Sequence, residues 1–160
     1  MTFTTDLSCP CGSHLTLDQC CGRYHQGELA PSPEALMRSR YTAFVLGLND
    51  YLLATWHPTT RPAELALDAE TEWKSLSIVS AEPPSDSRGS VHFRACFYSQ
   101  GAQGGVQKGW HVLEEVSRFV NEQQRWWYID GTPTLTRLKP RRNDPCLCGS
   151  GRKLKVCCGE

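Results

Sequence analysis

The chain has 160 residues, room for one ordinary globular domain with small appendages and too few for several. Lysine plus arginine number 17 and so do aspartate plus glutamate, so charge is informative only through its distribution along the chain. No stretch approaches the roughly eighteen apolar residues that a membrane span requires, and the opening MTFTTDLSCPC lacks the basic and apolar regions of a secretory leader, so a reducing cytoplasmic setting is expected.

The first element is CPCGSHLTLDQCCG, Cys9 to Gly22, and it returns near the other end as CLCGSGRKLKVCCG, Cys146 to Gly159. Each reads C-x-C-G-S, six residues, then C-C-G, and Leu17 aligns with Leu154. Eight of the nine cysteines fall into these quartets, which reads as a duplicated metal-binding unit. Zinc takes four thiolates in a tetrahedron at about 2.3 Å, and a closed set of four is the structural type of site. Cys9, Cys11, Cys20 and Cys21 form one such set; Cys146, Cys148, Cys157 and Cys158 form the other. Iron stays open, because thiolate quartets accept either metal. A disulfide framework is the competing explanation, and a reducing compartment disfavours it. Segments this short hold no core of their own, so metal should supply most of their folding free energy. Cys96 stands alone in a strand-like run and reads as a small core side chain.

A helix is predicted after Ser32, which can cap it, with Pro33 at its first position and Glu34 at the positive end of its dipole. Met37, Tyr41, Phe44, Val45 and Leu48 recur on one face. A short second helix follows from Asn49 or Asp50 and ends near His57, because Pro58 disfavours helical geometry before it. A third is expected from Pro62 to about Trp73. The pattern then turns to strands, over 75–82, 90–99, 109–120 and 125–130, with a glycine-rich loop at 101–108, a hairpin turn at 121–124 and Asp130-Gly131 closing the last strand. Helices followed by an antiparallel meander make an α+β arrangement.

Charge gathers at the far end. Residues 137–160 contain Arg137, Lys139, Arg141, Arg142, Arg152, Lys153 and Lys155 against Asp144 and Glu160, a net of +5, whereas residues 1–30 carry Arg23 against Asp6, Asp18 and Glu28, a net of −2. The basic end invites an acidic partner, either a protein surface or the phosphates of RNA or ribosome, although such a run can also be a solvated, solubilising end. It contains no aromatic residue, which excludes a base-stacking platform there.

Both cysteine segments resemble the SEC-C motif, the metal-binding tail of the SecA translocation ATPase and of small bacterial proteins. RNDPCLCGSGRKLKVCCG, from Arg142 to Gly159, matches at every ligand position, while the N-terminal copy has His14 where the motif usually has glycine. The order of elements, with SRFVNEQQRWWYIDG as the last hairpin, resembles the nuclear transport factor 2-like fold, a cone of helices packed into a curved sheet. With LMRSRYTAF and YLLATWHP added, residues 9 to 159 resemble the YchJ family. The resemblance implies an N-terminal knuckle over 1–30, an α+β domain over 31–138 and a C-terminal knuckle with its basic linker over 139–160. It leaves the activity open.

Relatives of the cone fold include isomerases and dehydratases, so a pocket using Tyr41, His57, His92, His111 or Glu115 is one hypothesis, a small-molecule binder or enzyme braced by its knuckles. None of these residues forms a sequence signature. The other hypothesis is a non-enzymatic adaptor that docks through Arg141, Arg142, Arg152, Lys153 and Lys155, as the role of the SecA tail suggests. A cone packed solid with side chains favours the adaptor; an open, polar one favours the binder.

Overall fold

A computed structural model describes residues 7–67, 69–101 and 106–159. The described elements in order are helices α1 (Cys21–His25), α2 (Pro33–Leu46) and α3 (Asn49–Ala54), then strands β1 (Thr71–Ala81), β2 (Arg88–Ser99), β3 (Gly109–Glu122) and β4 (Arg125–Leu138). Single 3-10 turns, Leu17–Gln19 and Leu154–Val156, sit in the two cysteine segments. The strands form one antiparallel meander in the order β1-β2-β3-β4. No described helix is long and apolar enough to cross a membrane.

Helix α2 begins as its sequence dictates. The Ser32 Oγ accepts a hydrogen bond from the Ala35 N–H at 3.1 Å, Pro33 follows, and Arg38 Nε pairs with Glu34 one turn away at 3.0 Å. Its other end closes with the Leu48 N–H on the Ala43 carbonyl at 2.9 Å. The expected apolar face is there, with Met37 and Tyr41 buried, but Leu36, Ser39, Arg40, Thr42 and Ala43 are buried as well. The helix is covered on two sides. One side rests on the inner face of the sheet; the other receives the N-terminal knuckle, whose four cysteines belong to the same apolar cluster as Leu36, Met37, Tyr41, Val91, Phe93 and Phe119.

Alternation along β2 separates the sheet's faces. Val91, Phe93, Ala95 and Phe97 are buried and share the core with α2, while His92, Arg94, Cys96 and Tyr98 lie on the other face. On that outer face Trp110 packs edge-on to Tyr98, with ring centroids 5.4 Å apart, and forms a second small core with Cys146 and Leu154. The C-terminal knuckle docks there, and Ser75 Oγ donates to the Leu147 carbonyl at 2.6 Å.

The third helix expected over Pro62 to Trp73 is absent among the described residues. Residues 62–67 are irregular, and from Thr71 the chain pairs with the end of β2, with Trp73 opposite Phe97. The run has helix-forming residues but no cap, and strand geometry lets Trp73 meet Phe97 at 5.1 Å and Tyr41 at 6.1 Å. Tertiary packing thus overrides a weak local preference. Strand β4 runs past Asp130-Gly131 to Leu138; Pro133 is tolerated because β4 is an edge strand. Within the expected 101–108 loop, residues 102–105 lie outside the described residues; 101 and 106–108 are irregular. Cys96 is half-buried on the outer face of β2, away from the core that α2 covers.

The β3–β4 hairpin turns on Gln123 and Gln124, at φ 57° and 65°. Two left-handed residues in a two-residue loop suit Asn-Gly better than Gln-Gln. Replacing the pair by Asn-Gly is expected to raise stability by about 1 kcal/mol, measured as a higher urea midpoint at constant slope; a lower midpoint would show that the glutamine side chains hold the turn in some other way.

Candidate metal centres

The two cysteine segments fold alike. Cys9 N–H donates to the Leu15 carbonyl and Cys146 N–H to the Arg152 carbonyl, both at 2.8 Å, and Gly12 and Gly149 each donate to the first cysteine's carbonyl at 3.2 Å. His14 has φ 69° where Gly151 has 82°, so the histidine adopts the left-handed turn that glycine takes in the other copy, at a conformational cost glycine avoids.

Within each quartet the sulfur atoms lie within 4.8 Å of one another. Cys11 and Cys20 Sγ are 3.6 Å apart and Cys148 and Cys157 Sγ 3.5 Å; the adjacent pairs Cys20–Cys21 and Cys157–Cys158 are at 3.9 Å. Tetrahedral coordination with metal–sulfur bonds near 2.3 Å implies sulfur–sulfur edges of about 3.8 Å. Both clusters could therefore hold a metal ion, and all eight cysteines singled out in the sequence are gathered in them. The motif's serine does more than permit a turn. Ser13 Oγ donates to Cys20 Sγ at 3.2 Å, and Ser150 Oγ lies 3.3 Å from Cys157 Sγ. Hydrogen bonds from Ser150 and Cys148 hold the Cys157 thiol down to about 6, while burial and the neighbouring sulfurs push Cys158 up to about 12.

The surroundings differ. Cys9, Cys11, Cys20 and Cys21 are all buried, with Cys9 Sγ 3.7 Å from Thr42 Oγ1 and Arg38 Nη1 donating to the Cys11 carbonyl at 2.8 Å. In the other quartet Cys146 is buried, Cys148 and Cys157 are half-buried and Cys158 is exposed. Arg152 Nη2 approaches Cys157 Sγ at 3.7 Å, so part of the basic charge noted in the sequence faces the thiols themselves. Arg141, Arg142, Lys153 and Lys155 are exposed and make no ion pair among the described residues. Between this knuckle and the sheet lies a cleft of about 640 Å³ that Lys74, Lys108, Arg137 and Lys139 line together with Glu72, which pairs with Lys74 at 3.9 Å.

The proposed catalytic candidates scatter. Tyr41 and Glu115 line one cavity of about 260 Å³ between α2 and the inner face of the sheet. His57 lies outside it, with Nε2 on Glu122 at 2.9 Å; His92 sits on the outer face against Glu114 at 2.6 Å; His111 is buried, stacked 5.2 Å from Phe97, with Nδ1 donating to the Gly109 carbonyl at 3.1 Å. Glu115 accepts hydrogen bonds from Ser117 Oγ and, at 3.5 Å, from Tyr128 Oη. Its carboxyl lies over Gly131, which pairs with Ser117, where a Cβ would come within 2.5 Å of it. Burial pushes Tyr41 above the usual phenol range, and burial and the nearby Glu115 push Tyr128 up to about 12. Sequence reasoning missed Arg40, Trp56 and Tyr128, which also line the cavity. Arg40 was findable, because it follows Met37 by three positions and precedes Phe44 by four, on the face of α2 already read as buried.

Metal-replete protein should carry two ions per chain, and a chelator should strip the C-terminal quartet first because its thiols are the more exposed. Mapping of thiol labelling over time should find Cys157 and Cys158 modified before Cys20 and Cys21; the reverse order would contradict this account of burial. His14→Gly should raise stability by about 0.5–1 kcal/mol, read as slower release of the N-terminal ion, and no gain would show that the left-handed turn is not strained.

Comparison with known proteins agrees with this architecture. The description "YchJ, middle NTF2-like domain" matches residues 32–131, and the SEC-C motif matches residues 142–160. UPF0225 proteins are similar along nearly the whole chain: that of Vibrio parahaemolyticus is 42% identical, covering 95% of this chain and 98% of its own, and YchJ of Shigella dysenteriae is 45% identical, covering 95% and 97%. A SEC-C motif containing protein from Psychrobacter arcticus superposes with a TM-score of 0.60 at 30% identity, covering 99% of this chain and 98% of its own. One from Rhodopseudomonas palustris, RPA3114, gives 0.66 at 33%, covering 79% and 98%. A nuclear transport factor 2-like α+β domain between two cysteine clusters, matched along almost its full length, places the chain in the YchJ (UPF0225) family.

Proposed function

We propose that the protein is a zinc-binding cytoplasmic adaptor without catalysis of its own, docking through its C-terminal knuckle onto a negatively charged protein or ribosomal surface. The observation that carries this reading is the set of exposed cations Arg141, Arg142, Lys153 and Lys155, without an ion pair among the described residues, on or beside a small scaffold that four thiols could lock around a metal. Arg152, beside Cys157, steadies the thiolates as well as adding charge. The basic cleft between knuckle and sheet extends the same surface. Zinc suits the site because it demands only a closed tetrahedron of thiolates and no open position. The N-terminal knuckle, buried against α2, braces the fold in this reading.

Co-sedimentation with purified ribosomes, and retention on an immobilised polyglutamate peptide, test it. Binding should weaken as salt rises, because screening shortens to about 8 Å at physiological ionic strength. The variant Arg141→Glu, Arg142→Glu, Lys153→Glu, Lys155→Glu should lose it while keeping two metal ions, since none is a thiol ligand. Full binding by that variant, or indifference to salt, would remove the physical basis of the adaptor.

A second reading, a small-molecule site in the cone, is favoured by the open cavity. That cavity gathers Tyr41 and Glu115 but none of the three histidines considered, which suits binding better than acid–base catalysis by an isomerase or dehydratase.

A further inference from the structure

The cavity between α2 and the sheet contains a buried cation that forms no ion pair among the described residues. This is Arg40, which is 5% exposed and lines the cavity. Its guanidinium lies over the Tyr128 ring at 4.5 Å and the Trp56 ring at 5.2 Å. Both of its hydrogen bonds leave from Nη1, to the Leu52 carbonyl and to Thr55 Oγ1, each at 2.7 Å. Those two bonds explain a helix-capping role, since Leu52 and Thr55 end α3. They leave Nη2 and Nε without a protein partner among the described residues. Burial draws the guanidinium down to about 10, against the opposing pull of Tyr128, Tyr51 and Glu115. Buried charges are ordinarily paired.

A second unsatisfied donor stands beside it. Trp56 lines the same cavity, and its indole Nε1–H is buried without a hydrogen-bond partner among the described residues. Two donors, one of them charged, call for an anionic acceptor. The remaining wall is apolar and aromatic, with Phe44, Trp73, Phe93, Leu113 and Phe119. The volume of about 260 Å³ exceeds the roughly 150 Å³ that accommodates a benzene ring. Glu115, in the same cavity, acts on Arg40 through its charge but forms no ion pair with it, and its carboxylate already accepts from Ser117 and Tyr128, so Nη2 and Nε keep no protein partner among the described residues.

We propose that this cavity binds a small aromatic carboxylate of one or two rings, its carboxylate on Arg40 and the Trp56 N–H and its ring among Phe44, Trp73, Phe93 and Phe119. This site is independent of the docking surface and stands or falls without it. Arg40 is a fork of parallel donors, suited to a carboxylate, and the cation–π contacts with Tyr128 and Trp56 hold it in place before the ligand arrives.

Trp56 and Trp73 report on the site, so quenching of intrinsic fluorescence in the full-length metal-replete protein is the measurement, backed by calorimetry. Indole-3-carboxylate is the probe and indole-3-carboxamide its neutral match. The acid should bind saturably and about tenfold or more tighter than the amide, because a charge-assisted hydrogen bond to a buried partner is at stake. Arg40→Met should erase that preference. If this variant fails to retain two metal ions and a cooperative melt, Leu113→Trp serves instead, filling the cavity without touching Arg40, and should abolish binding of both probes. Equal affinity for acid and amide, binding that survives Leu113→Trp, or no binding of either probe by the folded wild type would overturn the proposal and leave Arg40 as a cap for α3.

Discussion

Four thiols held within 4.8 Å of one another cannot all be charged unless a cation lies among them. That constraint explains the opposed behaviour within each quartet, where Cys157 is lowered and Cys158 raised, and likewise Cys11 lowered and Cys21 raised; a metal ion would let all four lose their protons at once. It also explains the repeated backbone. The same carbonyls, the same serine hydroxyl and the same left-handed turns fix both loops so that the sulfurs point inward.

From one local solution the molecule makes two different uses. At the N-terminus the quartet is sealed against Leu36, Thr42 and their neighbours on α2, so the sulfurs are part of the main core. At the C-terminus it rests on Trp110 at the rim of the sheet's other face and keeps its basic side chains in solvent. The position of α2 follows from this. Clamped between knuckle and sheet, it presents Met37, Arg40, Tyr41 and Phe44 to the cavity. The exposed basic residues and the cavity lie in different parts of the fold.

Much of this was legible in the residues. The cysteine spacing named all eight thiols that come together, because chemistry at fixed spacing needs no long-range information. The start of α2 at Ser32 and Pro33 was equally plain, since capping is local. Trp73 was misread because its place depends on Phe97 and Tyr41, far away in the chain. The histidines drew attention as titratable groups, yet strand alternation sent His92 to the outer face, and His111, though on the inner face, packs against Phe97 rather than lining the cavity. Arg40 was passed over although its spacing from Met37 and Phe44 puts it on the buried face of α2, because a charged side chain in a helix reads as solvated.

The central claim is that the N-terminal quartet is a structural part of the core and the C-terminal quartet is an attachment to it. Amide hydrogen exchange across α2, compared between protein loaded at both sites and protein carrying Cys20→Ser with Cys21→Ser, tests this most directly. Protection of the α2 amides from Leu36 to Ala43 should fall sharply in that variant and stay unchanged in the matching Cys157→Ser, Cys158→Ser protein. Equal protection of α2 in both variants would contradict the account.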